Sequence, residues 1–338
     1  MASFISLARN ERERKWQQCE DLISKNINSS LAEGTKKNYK YWMIRMENFC
    51  QEVGRSFPHF DSRTVCGFLS RIAEDSTGVG GVDQARSALR NHFLTNFPEE
   101  KSPTECPSVT MVIKGIKKRF SKPVAKKKPL ASSDFEKLLK AVTQDGKLET
   151  IKFCELRFAA QLIVLFCTIS RYEETCALKV SSLVLEGTTV TVNFPKGKQY
   201  QMGEARSSII VDQPQLSIPL VKVLKFYTKK LKSFKASNDI LFPSVRVSGS
   251  STTILQHAAS YDCVRNQFKR FAAAVKIEGK PEEYGLHSMR RGAASAAVNN
   301  GCDDHVVSKQ MRVGVSTVRR YATLNSNSLK KAANAVFS

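Results

Sequence analysis

Several things are scarce or missing in this 338-residue chain, and each absence removes a class of function. No long apolar run exists: the most apolar stretch, residues 158–169, is too short to span a bilayer. The first residues, MASFISLARNERERKWQQ, lack the apolar core of a secretory leader. The expectation is an intracellular, soluble protein with no membrane partner. The nine cysteines contain no C-x-x-C pair, which argues against a zinc ribbon and a disulfide framework. The acidic pairs Glu173-Glu174, Glu282-Glu283 and Asp303-Asp304 are adjacent in sequence, so on a helix their side chains diverge and share no cation. No metal site is expected. Acid is short overall as well, with 31 Asp+Glu against 53 Lys+Arg and a formal charge of +22. Positive potential over the whole surface calls for a polyanionic partner. Because 41% of the residues are hydrophobic, the chain still buries a core and is not a disordered basic tail.

The length exceeds what one core usually holds, so an internal boundary is expected. Before residue 120 no strand signal occurs. Apolar residues recur at helical spacing over 11–27 and 35–53, where Trp42, Met43, Met46, Phe49 and Cys50 form one stripe. Further helices follow an N-cap at Asp61 or Ser62, run from Val82, and start near Ser108. Residues 1–118 therefore read as an all-helical domain. Residues 119–131, basic and holding two prolines, read as a linker able to follow a phosphate backbone. Its contact candidates are Lys117, Lys118, Arg119, Lys126, Lys127 and Lys128, which also resemble a bipartite nuclear import signal. Residues 132–338 form the second domain. There Ser133 is expected to cap a helix over 134–143, and a strongly apolar helix over 152–169 should be its buried centre. Alternating Val190, Val192 and Phe194, a polar turn at Gly197 and a return strand over 207–211 read as one small antiparallel sheet. Helices resume over 215–234 and 261–275 and fill the last third. The fold class is mainly α with a small antiparallel β-sheet.

Chemistry on a phosphodiester without a metal needs a nucleophile, cations for the non-bridging oxygens and a proton for the leaving oxygen. Guanidinium forks match phosphate oxygens and stay charged. Arg171 follows the buried helix and precedes Glu174 by three residues. His287 and Arg290 share an i, i+3 spacing that places both on one face at a helix start. Tyr321 lies in the basic segment MRVGVSTVRRYATLN. Taken singly, Arg171 would be a cation at a helix C-terminus and His287 a cap; only the ordered set singles them out.

That set resembles the tyrosine recombinase, or phage integrase, family: Arg171 with Glu174, a lysine in a β-hairpin, His287-x-x-Arg290, and a tyrosine some thirty residues later. The likeness spans nearly the whole chain and implies a helical core-binding domain plus a catalytic domain, closing as a clamp on double-stranded DNA. It implies that Tyr321 attacks the scissile phosphorus to give a 3′-phosphotyrosine and a 5′-hydroxyl, with no cofactor. Arg171 and Arg290 would hold the phosphate, His287 would assist in proton transfer or phosphate contact, Lys196 would protonate the leaving oxygen and Glu174 would buttress the site. Lys196, directly before Gly197, is preferred to Lys198, which is assigned with Arg291 and Arg320 to DNA contact. The family commonly has a histidine or tryptophan nine residues before the tyrosine; here Arg312 stands there, which could still donate to a phosphate oxygen, or mark a shifted register or a weakened, domesticated relative. The amphipathic end, residues 329–337, is expected to dock on a neighbouring subunit in a DNA-bound tetramer, or on its own domain. The wording HSMRRGAASAAVNNG resembles recombinases of eukaryotic mobile elements of the Crypton and DIRS kinds, which would place the protein in a nucleus. The rival readings are a type IB topoisomerase-like nicking-closing enzyme and a catalytically silent DNA-binding relative.

Overall fold

The computed structural model describes residues 2–76, 79–120, 127–195, 206–234, 239–249 and 251–323, with the side chains of 2–12 and 28 set aside. The chain separates into two compact units, Met1–Ala125 and Lys126–Ser338.

Among its described residues the first unit holds five α-helices: α1 (Ala2–Ser29), α2 (Glu33–Val53), α3 (Ser62–Ser76), α4 (Gly80–Asn96) and α5 (Pro107–Phe120). Its core is the set of apolar stripes the spacing picks out: Trp42, Met46 and Cys50 meet Val65, Phe68, Leu69 and Ile72 of α3, Leu89 and Phe93 of α4, and Ile113 and Ile116 of α5. Asp61 is the cap of α3, its Oδ1 accepting from the Thr64 amide at 2.7 Å. Helix α1 departs from the amphipathic reading, because its side chains from 13 to 27 are all exposed, Trp16, Leu22, Ile23 and Ile27 among them. Two of the expected DNA contacts are neutralised within this unit, Lys117 by Asp83 at 3.0 Å and Arg119 by Glu74 at 2.9 Å. Lys118 is exposed.

The second unit is built around α7 (Phe153–Cys167), whose residues from Leu156 to Leu165 are buried without a break. Its mean hydrophobic character on every side is what a helix enclosed by others requires. Around it lie α6 (Ser132–Thr143), α8 (Tyr172–Cys176), α9 (Leu220–Ser233), α10 (Tyr261–Ala274), α11 (Leu286–Asn299), α12 (Asp304–Met311) and α13 (Val315–Tyr321). Ser133 does not cap α6; the helix starts at Ser132 behind Ala131, which offers no side-chain cap. Helix α9 starts later than the apolar period implies, directly after Pro219, which carries no amide donor.

Among the described residues two sheets occur where one was expected. Strands β1 (Leu183–Glu186), β2 (Thr189–Phe194) and β3 (Arg206–Val211) form an antiparallel sheet in that order, with Leu183 opposite Val192 and Val190 opposite Ile210. Val190, Val192 and Phe194 point inward, the expected alternation. The second sheet is a ribbon of β4 (Pro243–Ser248) and β5 (Ser251–Ala258), exposed or half-buried apart from Pro243.

The segment read as the end of the linker is core structure. Leu130 is buried, its amide donating to Ser288 O at 2.9 Å, and the Lys128 amide donates to Glu283 O at 2.9 Å. Gly292 makes this possible: a Cβ there would stand 1.8 Å from Leu130 O. Among the described residues no helix is long and apolar enough to cross a membrane.

Candidate active site

The turn Thr168-Ile169-Ser170, which joins α7 to α8, organises the site. Ile169 adopts φ 50°, a conformation β-branched residues avoid. The strained residue aims its carbonyl at Arg290, whose Nη1 donates to it at 2.6 Å. Strain of this kind costs on the order of 1–3 kcal/mol and persists only where surrounding contacts impose it.

Arg171 is the N-cap of α8, and Glu174 folds back onto it: Oε2 accepts from the Arg171 amide at 2.9 Å and Oε1 from Arg171 Nη1 at 2.8 Å. The same carboxylate accepts from Arg312 Nη2 at 2.9 Å and, at 3.5 Å, from Arg290 Nη1. Three guanidiniums from three parts of the chain thus converge on one buried carboxylate. Burial alone would raise the Glu174 carboxyl, but Arg312, the Arg171 amide and Arg290 outweigh it and hold it below the usual carboxylate range. The Arg290 guanidinium is pulled down to about 10, first by burial and next by the charge of Arg171, with Glu174 opposing. It stays protonated at neutral pH, and three cations against one anion leave the cluster with an excess positive charge.

Tyr321 ends α13 with its ring over Arg290, the guanidinium carbon 5.2 Å from the ring centre. The chain beyond is tied to α11: the Thr323 amide donates to Ser295 Oγ at 2.8 Å and Asn299 Nδ2 to Thr323 O at 3.0 Å. Arg291 reaches Lys127 O at 2.6 Å and Thr323 Oγ1 at 3.5 Å, so it ties two chain segments together. His287 stands exposed in the first turn of α11, one turn from Arg290 on the same helix face. Buried Arg290 Nε finds no acceptor.

Arg312, a candidate phosphate donor, makes its terminal-nitrogen contacts within the protein, while its buried Nε, like that of Arg290, finds no acceptor. It is buried in the left-handed C-cap of α12, and its terminal nitrogens are consumed by Thr168 O, Ser208 Oγ, Gln310 O, Ser170 Oγ and Glu174. Its guanidinium carbon lies 3.7 Å from the centre of the Phe194 ring. Arg312 therefore braces Glu174, the end of β2 and Ser208 of β3 from beneath, and its engaged donors are turned to protein acceptors. Sequence reasoning also passed over Ile169, Ser170, Ser208 and Gly292; of these only the glycine inside the helical pattern of RRGAAS left a signal.

Lys196, Lys198 and Lys126, and the docking segment 329–337, lie outside the described residues. Lys127 Nζ donates to Glu282 O at 2.6 Å, and Lys128 pairs with Glu283 at 2.9 Å. Arg320 is exposed, with a marginal 3.5 Å bond from its Nε to Ser316 O.

The description of the phage integrase family matches residues 130–328, more than half of the chain and all of the cluster above. The chain belongs to the phage integrase family. An integrase/recombinase xerD homolog of Selenomonas ruminantium is 20% identical over 307 residues, covering 90% of this chain and 86% of that protein. Among solved structures, XerH site-specific recombinase on its palindromic difH substrate after cleavage overlays with a TM-score of 0.62 at 16% identity, over 89% of this chain and 80% of XerH. The Tn1549 transposon integrase with transposon right-end DNA gives 0.60 at 14% identity, over 94% and 99%. At these identities the overlays establish the integrase fold, mainly helical with a small antiparallel sheet.

Proposed function

We propose that this phage integrase family member is a site-specific recombinase that cleaves and rejoins duplex DNA through Tyr321. The observation that carries the reading is the convergence of Arg171 and Arg290 on Glu174 with the Tyr321 ring against Arg290. A guanidinium pair held by one carboxylate is a fixed receptor for the two non-bridging oxygens of a phosphate, and fixed donors need no reorganisation when charge develops. The unsatisfied Nε of Arg290 would find its acceptor in such an oxygen. To His287, exposed one turn from Arg290, we assign proton transfer or phosphate contact.

In the proposed reaction the Tyr321 hydroxyl passes its proton to His287 as its oxygen bonds to phosphorus. The bond to the 5′ oxygen breaks, and that oxygen takes a proton from Lys196. The product is a 3′-phosphotyrosine and a 5′-hydroxyl; attack by a 5′-hydroxyl reverses the step, and bond energy is conserved. Arg312 and Glu174 act by positioning. Residues 1–118 bind DNA as the core-binding domain, 119–131 lead into residues 132–338 as the catalytic domain, and Lys118, Lys126, Lys198, Arg291 and Arg320 contact the phosphate backbone. The active form is a homo-oligomer on paired sites, and the natural reaction integrates or excises a mobile element. The segment 287–301 favours an element of the eukaryotic Crypton or DIRS kind, and the basic clusters near residues 117–128 then serve nuclear entry as well.

A suicide DNA substrate tests the reading. Wild type becomes covalently attached to DNA, and sequencing the trapped strand yields the target; Tyr321→Phe binds DNA and stays free. Wild type that binds its own site without forming an adduct would instead establish a silent DNA-binding protein.

A further inference from the structure

Helix α9 carries a charge pattern that the cleavage site does not use. Its apolar face, Leu220, Val221, Val223, Leu224, Tyr227 and Leu231, is buried against the core. Its exposed positions are Lys222, Lys225, Lys229, Lys230, Lys232 and Ser233. No acid lies within the helix, and no salt bridge neutralises these lysines among the described residues, whereas the basic helix α5 has Asp83 and Glu74 as partners. An ordinary surface helix intersperses acids at i, i+4. The one carboxylate lining the adjoining hollow, Asp212, accepts from the Val221 amide at 2.8 Å and so caps the helix.

The stripe has a definite place. Lys225 Nζ donates to Gly187 O at 2.6 Å, which fixes it beside the β1–β2 turn, and Gly187, Thr188, Lys222, Lys225 and Lys229 line a hollow of about 470 Å³ there. Phe194, packed on Arg312 of the cleavage cluster, is at the other end of β2. Six residues of strand separate the two ends, about 17 Å at ~3.3 Å per residue. Lys222, Lys225, Lys229 and Lys232 recur along one face over about 15 Å of helix.

We propose that α9 is a second binding surface for the sugar-phosphate backbone of duplex DNA, separate from the phosphate held at Tyr321. It goes beyond the cleavage reaction and does not require it. Lysine point charges without base-reading partners suit phosphates read without regard to sequence. A protein partner fits poorly, because half-buried Phe226 is the one aromatic lining the hollow, the exposed positions of the helix hold no methionine or arginine anchor, and lysine is depleted at protein interfaces. A duplex bound there is either a second molecule or a distant part of the bound one curved round the unit.

The test compares wild type with the triple variant Lys222→Gln, Lys225→Gln, Lys229→Gln, which keeps helix propensity and touches only exposed positions. Binding of a random 30-base-pair duplex is measured against salt, and capture of a labelled duplex by protein already holding an immobilised one is measured alongside. The variant's log K against log salt should be shallower by about 2.7, from ~0.9 per phosphate contact. Capture of the second duplex should fall, while adduct formation on the duplex recovered by trapping is unchanged. An unchanged salt slope overturns the proposal, as does a slope change accompanied by binding of polyglutamate in preference to duplex. A wild type that forms no adduct but shows the slope difference refutes the recombinase reading and leaves the α9 surface standing.

Discussion

Glu174→Gln should collapse the stability of the second unit, because that carboxylate is the one counter-ion among three guanidiniums. Two of those cations, Arg290 and Arg312, have fully buried side chains and cannot rehydrate, and the Glu174 side chain is itself 4% exposed. Glutamine preserves the shape but only one acceptor oxygen, removes the charge and turns an amide donor toward a cation. Breaking a buried ion network at one member costs about 3–5 kcal/mol. For a unit of this size each kcal/mol shifts Tm by roughly 2–4 °C, so a drop of roughly 6–20 °C is expected at neutral pH. The pH dependence carries a signature. The Glu174 carboxyl is held below its ordinary 4.5, so its stabilisation is complete above that value and is lost as pH falls through the lower folded value. Calorimetric melts from pH 7 to pH 3 should show the wild-type and variant Tm values far apart at neutrality and closing together in acid. Equal Tm at pH 7, or two curves that stay parallel below pH 4.5, would refute the account of Glu174 as the charge hub.

Gly292→Ala has opposite expected signs under two views: in a free helix it would stabilise by about 1 kcal/mol, but the added carbon would stand 1.8 Å from Leu130 O. Backbone must move to admit it, so a loss above ~3 kcal/mol is expected in denaturant titration. Arg312→Lys should reduce the rate of adduct formation and lower stability by at least ~3 kcal/mol, since a single ammonium cannot span Glu174, Ser170 and Ser208. DNA affinity should be unaffected; a loss of affinity in a stably folded variant would place Arg312 at the phosphate.

Periodicity located most helices of both units to within a few residues, because a buried stripe leaves a 3.6-residue pattern in the residues themselves. The β4–β5 ribbon was passed over: Pro243, Val245 and Val247 alternate with polar residues for only six positions, and apart from buried Pro243 its residues are exposed or half-buried, so little burial backs the pattern. Helix α1 shows the converse, an apolar pattern whose side chains from 13 to 27 remain exposed. At the site, Arg171, Glu174, Arg290 and Tyr321 were legible as an ordered set, and the fold brings them together.

What the sequence determined by itself was chemical identity and order: which residues are cations, where the tyrosine falls, and how much positive charge the surface carries. Direction and burial were decided by tertiary structure. Arginine is a surface residue by default, and nothing local distinguishes Arg291, which ties two backbone segments together, from Arg290 beneath the tyrosine or Arg312 enclosed below the site. Those fates depend on which carbonyls and carboxylates arrive from residues 127, 169 and 174, and proximity across more than a hundred residues exists only once the helices have packed.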